Sequence, residues 1–170
     1  DQLLEKLDEI SSALISTNKS GNKTLIFGNG GSAAIASHVS VDLTKNARIR
    51  CVNYNESDLI TCFSNDFGYE TYFKRQVEAH GKPGDILFLI STGGGNEKNG
   101  ASMNLVEAAK EAKKKDMKII SLIGKTGGLL KSLSDLYIIV ENNTTSHIQE
   151  AHITILHCIC EILDERKSEL

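Results

Sequence analysis

Lys23-Thr24-Leu25-Ile26-Phe27 runs directly into Gly28-Asn29-Gly30-Gly31-Ser32-Ala33, and the reading of this stretch decides the fold. A short apolar run that ends in glycine and gives way to a helical pattern is a buried strand turning straight into a helix. Glycines let the backbone turn tightly and approach a ligand without Cβ clashes. The free N–H groups and dipole at the start of the following helix favour an anion. The spacing is neither GxGxxG nor GxxxxGK[ST], which argues against a dinucleotide fingerprint and against a nucleotide triphosphate loop. The plainer alternative is an ordinary strand-to-helix turn in which Ser32 only caps the helix.

Outward from this turn, helix and strand patterns alternate. Residues 2–17 place Leu3, Leu4, Leu7, Ile10, Leu14 and Ile15 at helical spacing. Helical patterns also cover Ser32–Asn46, Asp58–Ser64, Tyr69–Ala79, Ala101–Lys115 and Ser146–Arg166. The Asn65-Asp66-Phe67-Gly68 segment reads as a turn between two of them. Arg50–Asn53 is weakly strand-like, whereas Asp85–Ile90, Lys118–Ile123 and Asp135–Val140 are clear apolar strands. Continuous apolar strands separated by helices imply a mostly parallel sheet covered on both faces, hence one doubly wound α/β domain over residues 1–170.

Composition narrows the class of function. Hydrophobic residues make up 40% and charged residues 24% of the 170, with a formal net charge of -3 mixed along the chain. That leaves no basic footprint for nucleic acid. No stretch approaches the roughly 18 apolar residues of a membrane span. The four cysteines (Cys51, Cys62, Cys158, Cys160) form no CxxC pattern and read as small buried thiols of a reducing cytosol. Cys158 and Cys160 adjoin His157, but residues two apart point to different helix faces.

A second glycine loop, Ser91-Thr92-Gly93-Gly94-Gly95-Asn96, also ends a strand. Ligands of open α/β sheets gather beyond the carboxyl ends of the strands, so the two loops suggest a shared phosphate pocket with Ser91 and Thr92 hydroxyls donating. Alone, the loop reads equally as a flexible surface segment. His38 and Asp42 stand four apart on the helix leaving the first loop, on one face and within reach of one ion or one substrate. A solvated polar pair has the same spacing. Gln149, His152 and His157 lie on the otherwise apolar last helix, where a histidine is more often packed than a ligand. Gln149 and His157 are separated by about 12 Å along an ideal helix, so they share one ion only if both reach or the helix start is frayed.

The order GNGGSA, His38-x-x-x-Asp42, Asn65-Asp66-Phe67-Gly68, Ser91-Thr92 and Ile148-Gln149-Glu150-Ala151-His152-Ile153-x-x-x-His157 resembles the phosphoheptose isomerase family of sugar isomerase (SIS) domain proteins, over essentially the whole chain. The resemblance implies a flavodoxin-like sheet flanked by N- and C-terminal helices. It implies an aldose–ketose isomerase converting sedoheptulose 7-phosphate to D-glycero-D-manno-heptose 7-phosphate, the first step toward nucleotide-activated heptose for surface polysaccharide. It further implies one zinc ion per subunit on His38, Asp42, Gln149 and His157, with Asp42 and His157 moving the proton. Substrate and phosphate would be held by Asn29, Gly30, Gly31, Ser32, Asn65, Asp66, Ser91, Thr92, Gly93 and Gln149. A cytoplasmic homotetramer with no nucleic-acid or membrane partner completes the expectation; apolar stripes on the first and last helices (Leu3, Leu7, Leu14; Ile155, Ile159, Ile162) agree with it. Five positions depart from the family pattern. Asp42 stands for a glutamate, Gly93 and Asn96 for two serines of the second loop, Asn46 for an arginine and Ser146 for an aspartate. The other class of function open to such a sequence is a non-catalytic sugar-phosphate-binding or interaction protein of the same fold.

Overall fold

The computed structural model describes residues 2–169. In chain order, α1 is Gln2–Lys19, β1 Thr24–Gly28, α2 Gly31–Lys45, β2 Cys51–Val52, α3 Ser57–Phe67 and α4 Tyr72–His80. There follow β3 (Ile86–Ser91), α5 (Met103–Lys114), β4 (Lys118–Gly124), the short α6 (Leu130–Leu133), β5 (Leu136–Val140) and α7 (Thr145–Glu165). The five strands form one parallel sheet in the order β2-β1-β3-β4-β5. This is the doubly wound, flavodoxin-like order. Its switch point lies between β1 and β3, where the connections leave toward opposite edges.

The three central strands are almost wholly buried, which is why they read as continuous apolar runs rather than alternating ones. Alternate residues serve two separate cores. Ile26, Ile86, Phe88, Ile90, Ile120 and Leu122 face α1, α2 and α7 on one side. Leu25, Phe27, Leu87, Leu89, Ile119 and Ile123 face α4 and α5 on the other. At the amino end of the sheet the buried Asp85 carboxylate accepts bonds from the Lys23 and Lys82 backbone N–H groups (3.0 and 3.1 Å) and from Lys23 Nζ (2.6 Å), tying β1 to β3.

The structure corrects several expectations. The Asn65-Asp66-Phe67-Gly68 segment is not a turn between helices, because α3 runs through Phe67 and ends on Gly68 at φ +83°. Only glycine takes that backbone freely, and it commonly follows the last helical residue. A 3₁₀ turn at Tyr69–Thr71 then leads into α4. Strand β2 shrinks to two residues, and α6 lacked any pattern in the sequence. Cys62 is exposed, not buried. The apolar stripes of α1 and α7 mostly cover one another: Leu7, Leu14 and Ile159 are buried within the chain. Among the described residues, no helix is long and apolar enough to cross a membrane.

Candidate active site

Strand β1 stops at Gly28 because a Cβ there would meet the Ser32 backbone at 2.6 Å. The chain therefore doubles back tightly, with Ser32 N–H donating to the Asn29 carbonyl (3.0 Å) and Gly30 at φ 54°, ψ -121°, a region reserved to glycine. Helix α2 leaves from Gly31, and Ser32 is buried against the turn. The Gln149 side chain of α7 lies over Gly31, at 2.5 Å from where a Cβ would stand. Gly31 is thus the point where α7 closes on the first loop.

Asn29 points away from its own backbone into a network that the sequence reading missed. Its carboxamide pairs reciprocally with that of the buried Asn104 on α5 (2.9 and 2.8 Å), and Tyr69 donates its hydroxyl to Asn29 Oδ1 (2.8 Å). No local signal marks a partnership spanning 75 residues. Asn65 and Asp66 occupy the last turn of α3, exposed and bonded to each other (2.8 Å), one short segment away from Tyr69. A second missed pair fixes α2 from the side. Asn55 donates to Ser37 Oγ and the Ala33 carbonyl, and Asn53 donates to Ser40 Oγ (2.7 Å).

The second loop is held by hydrogen bonds and by close packing against the Gly124–Gly128 loop. Ser91, buried at the end of β3, accepts the Gly94 N–H on its Oγ (3.0 Å) and keeps its hydroxyl proton free to donate. Gly94 and Gly95 have positive φ and lie under the Gly124–Gly128 loop; a Cβ on Gly94 would stand 1.9 Å from the Gly127 carbonyl oxygen. Leu129 and Leu130 N–H groups donate to the Gly95 and Gly94 carbonyls, which is what winds α6. Gly93, by contrast, faces open space.

One turn apart on α2, His38 Nε2 and Asp42 Oδ2 stand 3.1 Å apart. From α7, His157 brings its Nε2 to 3.1 Å from His38 Nε2 and 3.8 Å from Asp42 Oδ2. The imidazoles meet edge to face, and both are largely exposed while Asp42 is half-buried. Two nitrogen lone pairs and a carboxylate oxygen turned on one point suit a divalent cation. Three donors about 2.0–2.1 Å from a tetrahedral zinc would stand about 3.3 Å apart. The observed spacings match within about half an ångström, so these residues fit a metal and leave a coordination position open for substrate. No cysteine joins the group, so the adjoining Cys158 and Cys160 are not part of it. Burial beside Asp42 pushes the Cys160 thiol up to about 11, which keeps it protonated. Helix α7 is regular from Thr145, so the frayed start that would bring Gln149 near His157 does not exist. The Gln149 side chain packs over Gly31 of the first loop.

Between Gln149 and His157, the buried His152 lies beside the Ile123 backbone of β4. Burial pulls its pKa below the ordinary histidine value, and the nearby Ile123 backbone offsets this only in part. That backbone falls short of hydrogen-bond geometry, and neither ring nitrogen has a partner among the described residues.

The family model described as the SIS domain matches residues 1–124. A protein of Thermoplasma acidophilum named probable phosphoheptose isomerase is 41% identical over 170 residues, covering 96% of this chain and 90% of its own. Among solved structures, phosphoheptose isomerase GmhA from Neisseria gonorrhoeae superposes with a TM-score of 0.87 at 33% identity, covering 95% of this chain and 87% of that one. A phosphoheptose isomerase from Francisella tularensis gives 0.86 at 32% identity, with 95% and 85% covered.

Proposed function

The chain belongs to the phosphoheptose isomerase family of SIS domain proteins, and from that premise we propose that it is an isomerase interconverting sedoheptulose 7-phosphate and D-glycero-D-manno-heptose 7-phosphate. The observation that carries this reading is the convergence of His38, Asp42 and His157 beside a glycine loop at the sheet's switch point. Moving a carbonyl from C2 to C1 requires taking a proton from C1 and returning one to C2. Meanwhile O1 loses a proton and O2 gains one, through an enediolate. The groups that would carry these protons are Asp42, through the carboxylate oxygen not given to the metal, and His157, through Nδ1, because an Nε2 bound to zinc has no lone pair left. A zinc ion held by His38, Asp42 and His157 would act as a Lewis acid on the two substrate oxygens. Gln149 joins that set only by swinging off Gly31; where it stands, it donates to substrate over the first loop. The loops at Gly28–Ser32 and Ser91–Gly95 would hold the phosphorylated chain, with Asn29 oriented by Asn104 and Tyr69, and with Asn65, Asp66 and Thr92 along the rim. Binding of the remote phosphate then supplies energy that is spent at the reacting carbons.

We place the enzyme in the cytoplasm, which suits its four free cysteines, at the entry to heptose synthesis for a surface polysaccharide. We also propose a homotetramer. Val41, next to Asp42, is 56% exposed, apolar surface that subunit contact would cover close to the site, and Leu4 on α1 is 62% exposed.

The reading is tested by the metal. The purified protein should carry about one zinc per chain, lose isomerisation of sedoheptulose 7-phosphate on chelation, and regain it on zinc addition. His157→Ala should lose both metal and turnover. A metal-free parent that binds the sugar phosphate and is not activated by zinc would leave a binding protein instead.

A further inference from the structure

Between β2 and α3, Asn53-Tyr54-Asn55 forms a strap along the flank of α2. Asn55 Nδ2 donates to the Ala33 carbonyl (3.1 Å) and to Ser37 Oγ (2.8 Å), and Asn53 Nδ2 donates to Ser40 Oγ (2.7 Å). Ser40 gives its own hydroxyl proton to the Ser37 carbonyl (2.8 Å), and Asn53 Oδ1 accepts the Asn55 N–H (3.0 Å). Positions 33, 37 and 40 share one face of a helix, about 150° around the axis from positions 38 and 42. On its far side the strap is anchored by α4. There the buried Tyr72 donates its hydroxyl to the Tyr54 carbonyl, and His80 stacks on the Tyr54 ring with 4.5 Å between centroids.

Two features of the strap oppose folding. Tyr54 has φ 53°, a left-handed backbone that costs an aromatic residue energy. Asn55 Oδ1 is buried with no partner among the described residues, which leaves a desolvated acceptor unsatisfied. Strained backbone and unsatisfied polar atoms gather at functional sites, where the surrounding structure holds them. The need for a brace lies in α2 itself, whose buried hydrophobic side chains are only Ala36, Val39 and Leu43. A donor atom about 6 Å from the axis moves about 1.5 Å when the helix rolls by about 15°. Bonds to a metal tolerate only about 0.2 Å.

We infer that Asn53 and Asn55 are positioning residues that fix the roll of α2, so that His38 Nε2 and Asp42 Oδ2 meet His157 Nε2 at metal-binding distance. The inference rests on the metal-dependent isomerase reading above. Its test compares the parent with Asn55→Ala, Ser37→Ala and the double variant. Zinc affinity is read by competition with a chromophoric chelator, and donor geometry by the visible spectrum of the cobalt(II)-loaded protein. Urea unfolding of the metal-free protein reads stability, and turnover of sedoheptulose 7-phosphate at saturating zinc reads function.

Groups that orient metal ligands from behind are worth about tenfold to a hundredfold in affinity, so Asn55→Ala should raise the zinc Kd by that factor. The cobalt spectrum should change, and kcat should fall about tenfold with KM within about threefold, because the sugar-phosphate loops are untouched. The urea midpoint should stay near that of the parent, since the substitution removes the orphaned oxygen together with its two bonds. Adding Ser37→Ala to Asn55→Ala should cost less than Ser37→Ala costs alone, because the two share one hydrogen bond. If Asn55→Ala does not fold, Asn53→Ala and Ser37→Ala carry the same readings. A parental zinc Kd and cobalt spectrum in the folded variants, or additive effects of the two substitutions, would overturn the inference and leave the isomerase reading standing. A parent whose zinc affinity depends on Asn55 but which does not isomerise the sugar would remove the isomerase reading and leave the strap. A parent that binds neither zinc nor cobalt(II) would overturn both.

Discussion

Single residues carry the site, and two of them show how unevenly the sequence announces such roles. Gly31 is legible as part of a glycine loop, but its reason lies 118 positions away: the Gln149 carboxamide occupies the space a Cβ would need. His152 is legible as a histidine on an apolar helix face, yet only packing reveals that both its nitrogens are orphaned. Burial lowers its pKa, so the folded protein holds His152 neutral where the unfolded chain, titrating near 6.5, would take up a proton. The sign follows. His152 disfavours the fold once pH drops below about 6.5, and its penalty grows until the folded pKa is reached. Urea unfolding followed by circular dichroism between pH 7.5 and 5.5 should show the parent losing stability faster than His152→Leu. Parallel pH dependences in the two proteins would mean that the ring finds a partner in solution.

Among the elements, the buried strands were readable because a parallel strand covered on both faces must be apolar throughout, as β1, β3 and β4 are. Elements made by tertiary contact were not. Helix α6 exists because Leu129 and Leu130 N–H groups cap the carbonyls of Gly95 and Gly94, and α3 overran its expected end because Gly68, not the asparagine–aspartate pair, terminates it. The pairing of α2 with α7 that assembles His38, Asp42 and His157 was implied only by family resemblance, since no spacing relates positions 119 apart. The sheet that carries these helices is clasped at its far end by Asp85. Asp85→Ala would strand the Lys23 and Lys82 donors and should lower stability by about 3 kcal/mol, while activity per folded molecule stays unchanged. A loss below about 1 kcal/mol in denaturant titration would show that water replaces the carboxylate.

For the whole molecule, the sheet order puts both glycine loops at one end and sends α2 and α7 past them, so the His38–Asp42–His157 group and the two loops share a mouth without sharing an element. The assembly prediction belongs here. The α1 and α7 stripes largely satisfy each other within the chain, so the tetramer depends on the surface around Val41 and Leu4. Light scattering at micromolar concentration should return four chains, and Val41→Asp should dissociate them; a monomeric parent would remove the interface. The central claim is that Asp42, despite its short side chain, serves the proton transfer of an isomerase. Its most direct test is the turnover of sedoheptulose 7-phosphate by Asp42→Asn, measured beside the parent at matched zinc content. The account predicts a folded variant whose kcat falls by about a hundredfold to ten-thousandfold, the usual worth of a positioned general base. Turnover at the parental rate would contradict it.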